Sequence, residues 1–243
     1  MHLLIAALAN ERRKTLLAEA EHARRIAPAR RNGTLSRRPD PQPGRRGLIA
    51  GRSRRPETST QPVPAERMRL LDGSSVVVRP IRPTDAPLLS DAFNRLSAAS
   101  RRARFLGSKD TLSSAELRRL TAIDHREHEA LIAISSADHR AVGVARYVRS
   151  LETRHLAELA VTVVDEWHRR GLGRALVDRL AERARTEGIG AFTALVADHN
   201  AGALALLRRF RERTEILDSD FGVTEYALDL AWPRGQSLAA CGR

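Results

Sequence analysis

The chain has 243 residues, 42% of them hydrophobic and only 4% aromatic, with 42 basic against 29 acidic side chains and a net charge of +13. A single cysteine, Cys241, excludes an internal disulfide framework and any multi-cysteine metal site. No apolar run approaches the roughly 20 residues that cross a bilayer, so no membrane association is expected and the chain is read as cytoplasmic.

The charge is one-sided. Only Lys14 and Lys109 are lysines, and beside heavy alanine usage this points to coding bias rather than to a nucleic-acid surface. Residues 1–67 hold 15 basic and 6 acidic groups, which leaves the remainder only mildly basic. The segment "LLIAALA" has the length of a signal-peptide core, but no basic residue precedes it. Residues 3–27 can form a short helix, and residues 28–67 are Pro, Gly, Arg and Ser with little to bury. Residues 1–67 are therefore expected to be a disordered leader, 68–232 the folded domain, and 233–243 a flexible tail.

From Met68 the pattern becomes globular. "SSVVVRPIR" (74–82) reads as a strand entered by an Asp72-Gly73 turn. "TDAPLLSDAFNRL" (84–96) reads as a helix capped by Thr84, and "SAASRRARFL" as a second short one. Ser113 and Glu116 have capping-box spacing at the head of a helix over 113–123. "EALIAISS", "AVGVARYVRS" and "HLAELAVTVV" predict an antiparallel meander. Residues 171–187 place Leu172, Leu176, Leu180 and Ala184 on one helical face. "AFTALVA" (191–197) is a strand, "NAGALALLRRF" (200–210) a helix capped by Asn200, and "RTEILDS" and "VTEYALDL" two last strands. The expected fold class is α/β (α+β), with about seven strands in a mixed, mostly antiparallel sheet flanked by helices.

The chemistry concentrates in "EWHRRGLGRAL" (166–176). Gly-x-Gly between a strand and a helix presents free helix-terminal N–H groups, about half a positive charge, and a main chain that an anion can approach closely. Arg169, Arg170, Gly171, Leu172, Gly173 and Arg174 are thus candidates for holding a phosphate or pyrophosphate. Glycines placed for packing alone are the alternative. Glu158 is a carboxylate among apolar strand residues; on residue type alone it reads as an ordinary satisfied strand carboxylate. His125 and His128 have metal-like spacing with Asp124 beside them, but no further ligands follow, so no metal is expected.

"HRRGLG" (168–173), with the element order, resembles the GNAT family of acyl-CoA-dependent N-acetyltransferases. Their signature is Gln/Arg-x-x-Gly-x-Gly/Ala; His168 departs from it at the first position. "VRPIRPTD", "LSAASRRARFLG" and "LTAIDHREHEALIAI" are similar to the acetyltransferase domain of bacterial protein-lysine acetyltransferases. The resemblance covers about Val76 to Leu230. It implies acetyl-CoA as cosubstrate, and Glu158 as general base for an amine that is neutral in only about one molecule in 2,500 at pH 7. It implies that the main chain of Val161, Thr162 and Val163 takes the pantetheine arm, that Asn200 binds the same arm, and that Asp124 and His125 lie toward the acceptor. The tyrosine that often protonates the leaving thiolate is replaced by Leu206 and Leu207, and the following Gly-Phe by Phe210-Arg211.

The sequence thus points to acetyl transfer from acetyl-CoA to a primary amine, a protein lysine by the segment resemblance. Direct attack in a ternary complex follows, since the one cysteine lies in a tail. A small-molecule amine acceptor and a non-catalytic binding module with a basic arm are the alternatives. Oligomeric state is not legible.

Overall fold

The computed structural model describes residues 64–230. The expected leader helix, most of the Arg-rich leader, the tail and Cys241 lie outside these residues.

Eight strands form one mixed sheet with five α-helices around it. In chain order they are β1 (Glu66–Arg69), β2 (Ser75–Pro80), α1 (Ala86–Asn94), α2 (Ala98–Phe105), α3 (Ser114–Thr121), β3 (His128–Ser135), β4 (Ala141–Arg149), β5 (Leu156–Val163), α4 (Leu172–Thr186), β6 (Ala191–Ala197), α5 (Ala201–Arg208), β7 (Thr214–Asp220) and β8 (Val223–Asp229). The strands lie in the order β1-β2-β3-β4-β5-β6-β8-β7. All neighbours are antiparallel except β5 and β6.

The eighth strand is β1, four residues that the pattern does not single out because only Met68 among them is apolar. Its pairing Met68↔Val76 adds it to the edge of the sheet. The first helix also differs from expectation. Thr84 is not its cap: residues Pro83–Asp85 make a 3₁₀ turn and the helix starts at Ala86. Asp85, buried, organises the turn. It accepts from the Arg82 main-chain N–H at 2.7 Å and takes both guanidinium nitrogens of Arg79 at 2.7 Å. The remaining caps follow their residue types. Ser97 accepts from the Ser100 N–H, Ser113 and Glu116 close a capping box, and Asn200 accepts from the Ala203 N–H.

Two apolar layers enclose the sheet. One lies under α4, where Leu172, Leu176, Leu180 and Ala184 pack with Tyr147, Phe192 and Leu228. The other lies under α1 and α3, around Ile81, Leu89, Ile132, Val144 and Val164. Gly143 lets α4 settle close to the sheet: a Cβ there would meet Leu176 at 3.2 Å and the Thr162 carbonyl at 3.3 Å. This close approach fixes the start of α4 against the ends of β4 and β5.

Candidate active site

The parallel register between β5 and β6 is three residues long, Leu156↔Ala191, Ala157↔Phe192 and Glu158↔Thr193. Beyond Glu158 the two strands part. On the other side β5 stays paired with β4 along its length, from Arg149↔Ala157 to Gly143↔Val163. At the ends of this ladder Ser150 N–H donates to the Leu156 carbonyl and Val164 N–H to the Val142 carbonyl. Main-chain groups alternate sides along a strand. The even residues of β5 therefore face β4, and Leu159, Val161 and Val163 turn their main-chain groups to the gap. The three residues expected to hold a cofactor arm thus divide. Val161 and Val163 address the gap, whereas the Thr162 main chain addresses Val144 and its side chain lines a pocket on the sheet face.

The Gly-x-Gly turn sits at the mouth of this gap. Gly171 has φ +86°, a left-handed conformation that side chains disfavour, and forms the N-cap of α4. The first amide bonded within the helix is that of Ala175, which donates to the Gly171 carbonyl at 3.1 Å. The amides of Leu172, Gly173 and Arg174 therefore have no acceptor in the helix. Gly173 is not required by internal packing: a Cβ there would meet only Leu206 at 3.8 Å and Val163 at 3.9 Å. That empty volume lies between β5 and α5, at the helix end where an anion is favoured.

The arginines of the turn part company. Arg170 is consumed internally: it pairs with Asp72 at 2.9 Å, donates to the Glu166 carbonyl at 2.6 Å and lies 4.7 Å over the Trp167 ring. Trp167 packs against both apolar layers. Arg169 is exposed, with φ +59°. Arg174 is half exposed beside Asp178 at 3.5 Å. His168, where the signature has Gln or Arg, ties the turn to β5 through Nε2 and the Val163 carbonyl at 2.8 Å. Asn200 spends its Oδ1 on the cap of α5.

Glu158 projects to the face opposite α4, the face on which Ala160 and Thr162 line the pocket. Burial pushes its carboxyl above the ordinary range; the Arg104 cation opposes this and Glu225 adds to it. The pocket, ≈ 60 Å³, is lined mainly by apolar side chains such as Leu89, Phe93, Phe105 and Leu120. Two cations enter it, Arg104 from α2 and Arg146 from β4. Arg146 is only 3% exposed, and burial, with Arg104 nearby, lowers its pKa to about 9. Composition gave no signal for this pair, because arginine is everywhere in the chain.

Asp124 and His125 both make hydrogen bonds from the loop before β3. Asp124 Oδ1 accepts from the main-chain N–H of Arg126 and of His128 at 3.0 and 2.9 Å. His125 Nδ1 meets Glu129 Oε1 at 2.7 Å, and Arg183 of α4 holds the other oxygen at 3.0 Å. The hydrogen bond to Glu129 raises the His125 pKa. This cluster belongs to the α4 side of the sheet. It reaches the pocket only through His128, whose Nε2 lies 3.2 Å from Arg146 Nη1. Among the described residues no group of three or more His, Cys, Asp or Glu side chains is placed to hold a metal, and no helix is long and apolar enough to cross a membrane.

A mixed sheet that parts between two parallel strands, with a glycine-opened helix at the parting, defines an acyl-CoA-dependent transferase fold, and the comparisons agree. Residues 95–211 match the Acetyltransferase (GNAT) family. The chain is 37% identical to the acetyltransferase PA5475 of Pseudomonas aeruginosa over 119 residues, which cover 48% of this chain and 63% of that protein. It is similar to the GNAT domain of S. lividans PAT, with TM-score 0.62 and 26% identity over 68% of this chain and 96% of that one. Its fold is also similar to that of YncA of Salmonella typhimurium, solved with its cofactor acetyl-CoA. There the TM-score is 0.52 at 20% identity, over 68% of this chain and 99% of that one. The described domain has the GNAT fold.

Proposed function

We propose that this protein transfers an acetyl group from acetyl-CoA to a primary amine, with a protein lysine as the acceptor. The observation that carries the reading is the junction of three features within one end of the sheet. The β5–β6 gap offers main-chain groups that β6 leaves unpaired, the Val163 carbonyl held by His168 excepted, free amides open α4, and an elevated carboxyl stands on the strand between them. The likeness to the GNAT domain of S. lividans PAT supports a protein acceptor.

On this reading the diphosphate of acetyl-CoA rests on the amides of Leu172, Gly173 and Arg174, with Arg169 and Arg174 supplying charge from the surface. The arm of the cosubstrate runs along Val161 and Val163, like an added strand. The amine nitrogen attacks the thioester carbonyl carbon, the C–S bond breaks, and CoA leaves as thiolate. The proton released from nitrogen passes to Glu158 directly or through one water. An N–H from the gap side of β5 stabilises the carbonyl oxygen as it gains charge. A thiol pKa near 8.5 makes the leaving group fair without a dedicated acid, so the leucines at 206 and 207 do not obstruct the reaction.

The test is acetyl-CoA-dependent thiol release in the presence of a cell lysate, followed by identification of the molecules that gain labelled acetyl groups. Label on protein lysines is expected. Label confined to small amines moves the acceptor class, and calorimetry that detects no acetyl-CoA association defeats the reading as a whole. A binding module with a basic arm predicts instead nucleic-acid affinity that falls steeply with salt and needs residues 1–67.

A further inference from the structure

Arg146 is a buried cation with the wrong partners. Its guanidinium meets His128 Nε2 at 3.2 Å and the Leu120 carbonyl at 3.3 Å, and no carboxylate among the described residues. Leu120 is in the last turn of α3, a helix end that offers only about half a negative charge. The charged group acting on Arg146 is another cation, Arg104. Arg104 itself makes no hydrogen bond among the described residues and rests over the Phe105 ring at 5.1 Å. Its nearest counter-charge in effect is Glu158. An uncompensated ion in an apolar site costs several kcal/mol. Elsewhere the fold avoids this cost: Arg79 is paired with Asp85 and Arg183 with Glu129.

The missing charge has room to arrive from outside. The pocket that both guanidinium groups enter is otherwise almost wholly apolar, and its volume admits a short aliphatic chain of a few carbons. It opens on the face that carries Glu158, one side-chain position along β5 from Ala160, about 7 Å. We infer that this pocket recognises the acceptor by a carboxylate: Arg146 and Arg104 take the carboxylate of a short aliphatic acid borne by the molecule whose amine is acetylated. The direction of transfer rests on the reading above; the anion site does not. Two sources carry this chemistry, a free amino acid and a glutamate side chain beside an acceptor lysine.

The test measures binding without turnover. Isovalerate and isovaleramide are titrated into the full chain, and into Arg146→Met and Arg146→Lys, with melting temperature and calorimetry as readouts. Acetyl-CoA affinity is recorded for each protein. Isovalerate should bind the wild type and the amide should not. Arg146→Met should weaken isovalerate at least about tenfold, the equivalent of one charge-assisted hydrogen bond. Arg146→Lys should fall between, since it keeps the charge and loses the fork. Ligand-free Arg146→Met should melt no lower than wild type, because it removes an unpaired buried charge. Equal binding of acid and amide, or isovalerate affinity unchanged in Arg146→Met, overturns the inference. So does a ligand-free Arg146→Met that melts well below wild type. Competition against isovalerate assigns the source. Displacement by free valine but not by a Glu-Lys peptide identifies a small acceptor, and the reverse identifies a protein. Isovalerate binding without acetyl transfer to any amine leaves the anion site standing and removes the transferase reading.

Discussion

Glu129 and Glu158 stand on opposite faces of the same sheet, each among apolar residues, and their surroundings could hardly differ more. Glu129, 1% exposed, has both carboxylate oxygens engaged: His125 and the Ala130 N–H on one, Arg183 on the other. Glu158 has no hydrogen bond among the described residues, and burial keeps its carboxyl raised. The arginines divide the same way, Arg183 fully paired and Arg146 not. Around Glu129 the electrostatics close within the chain. Around Glu158 and Arg146 they are left open, as a surface that must act on something else requires.

Exchanging the two carboxylates for amides gives the largest expected contrast. Glu158→Gln should lower kcat by about 10²–10⁴-fold while acetyl-CoA affinity and melting temperature hold. Glu129→Gln should leave the chemistry alone and destabilise the fold. The pH profile sharpens this. Because burial raises the Glu158 carboxyl, kcat/KM should rise with pH through a midpoint above the ordinary glutamate value, and Glu158→Gln should lose that limb. A wild-type profile flat from pH 5 to 8 removes Glu158 as the base.

Next in size is Arg183→Met, which leaves Glu129 with His125 as its one remaining side-chain partner and the Ala130 N–H. A loss of about 3 kcal/mol in denaturant unfolding is expected at pH 8. His125 is raised by Glu129, so its stabilising charge is fully present below the unfolded value near 6.5 and fades as pH rises through the folded one. The penalty should therefore shrink toward pH 5.5; a penalty independent of pH would break the link. Smallest is Lys109→Met. Burial alone would raise Glu116, but Lys109 at 2.7 Å and Ser113 hold it at about 2. A depressed carboxyl stabilises above its unfolded value and loses this as pH falls through the folded one. The variant should cost about 1 kcal/mol at pH 6 and progressively less as pH falls toward 2.

Much of the fold could be read directly because its signals are local. Ser113 and Glu116 announce a helix start three residues apart, the meander strands carry their own periodicity, and Gly171 sits where a left-handed residue is needed. β1 escaped because one methionine among charged residues has no period. The glycine-opened turn and the Asn200 cap were legible in the sequence, whereas the side-chain pairings around them were not. Arg170, a phosphate-ligand candidate from its place beside the glycines, pairs with Asp72, nearly a hundred residues away, which no local pattern shows. Arg104 and Arg146 come together only through tertiary packing, and in a chain so rich in arginine no local pattern distinguishes them. His125 and Asp124, drawn toward the acceptor by resemblance, also bond to Glu129 and to the main chain at the start of β3, contacts that only the folded chain reveals.

The brief seam between β5 and β6 has a mechanical consequence. It joins a five-stranded half-sheet to a three-stranded one, with α4 spanning both beneath. A cosubstrate threaded through the parting would stitch the halves together along the length where they are otherwise apart. Occupancy and rigidity of the sheet would then rise and fall as one quantity. Hydrogen exchange at Leu159, Val161 and Leu195 would slow in proportion to the ligand bound.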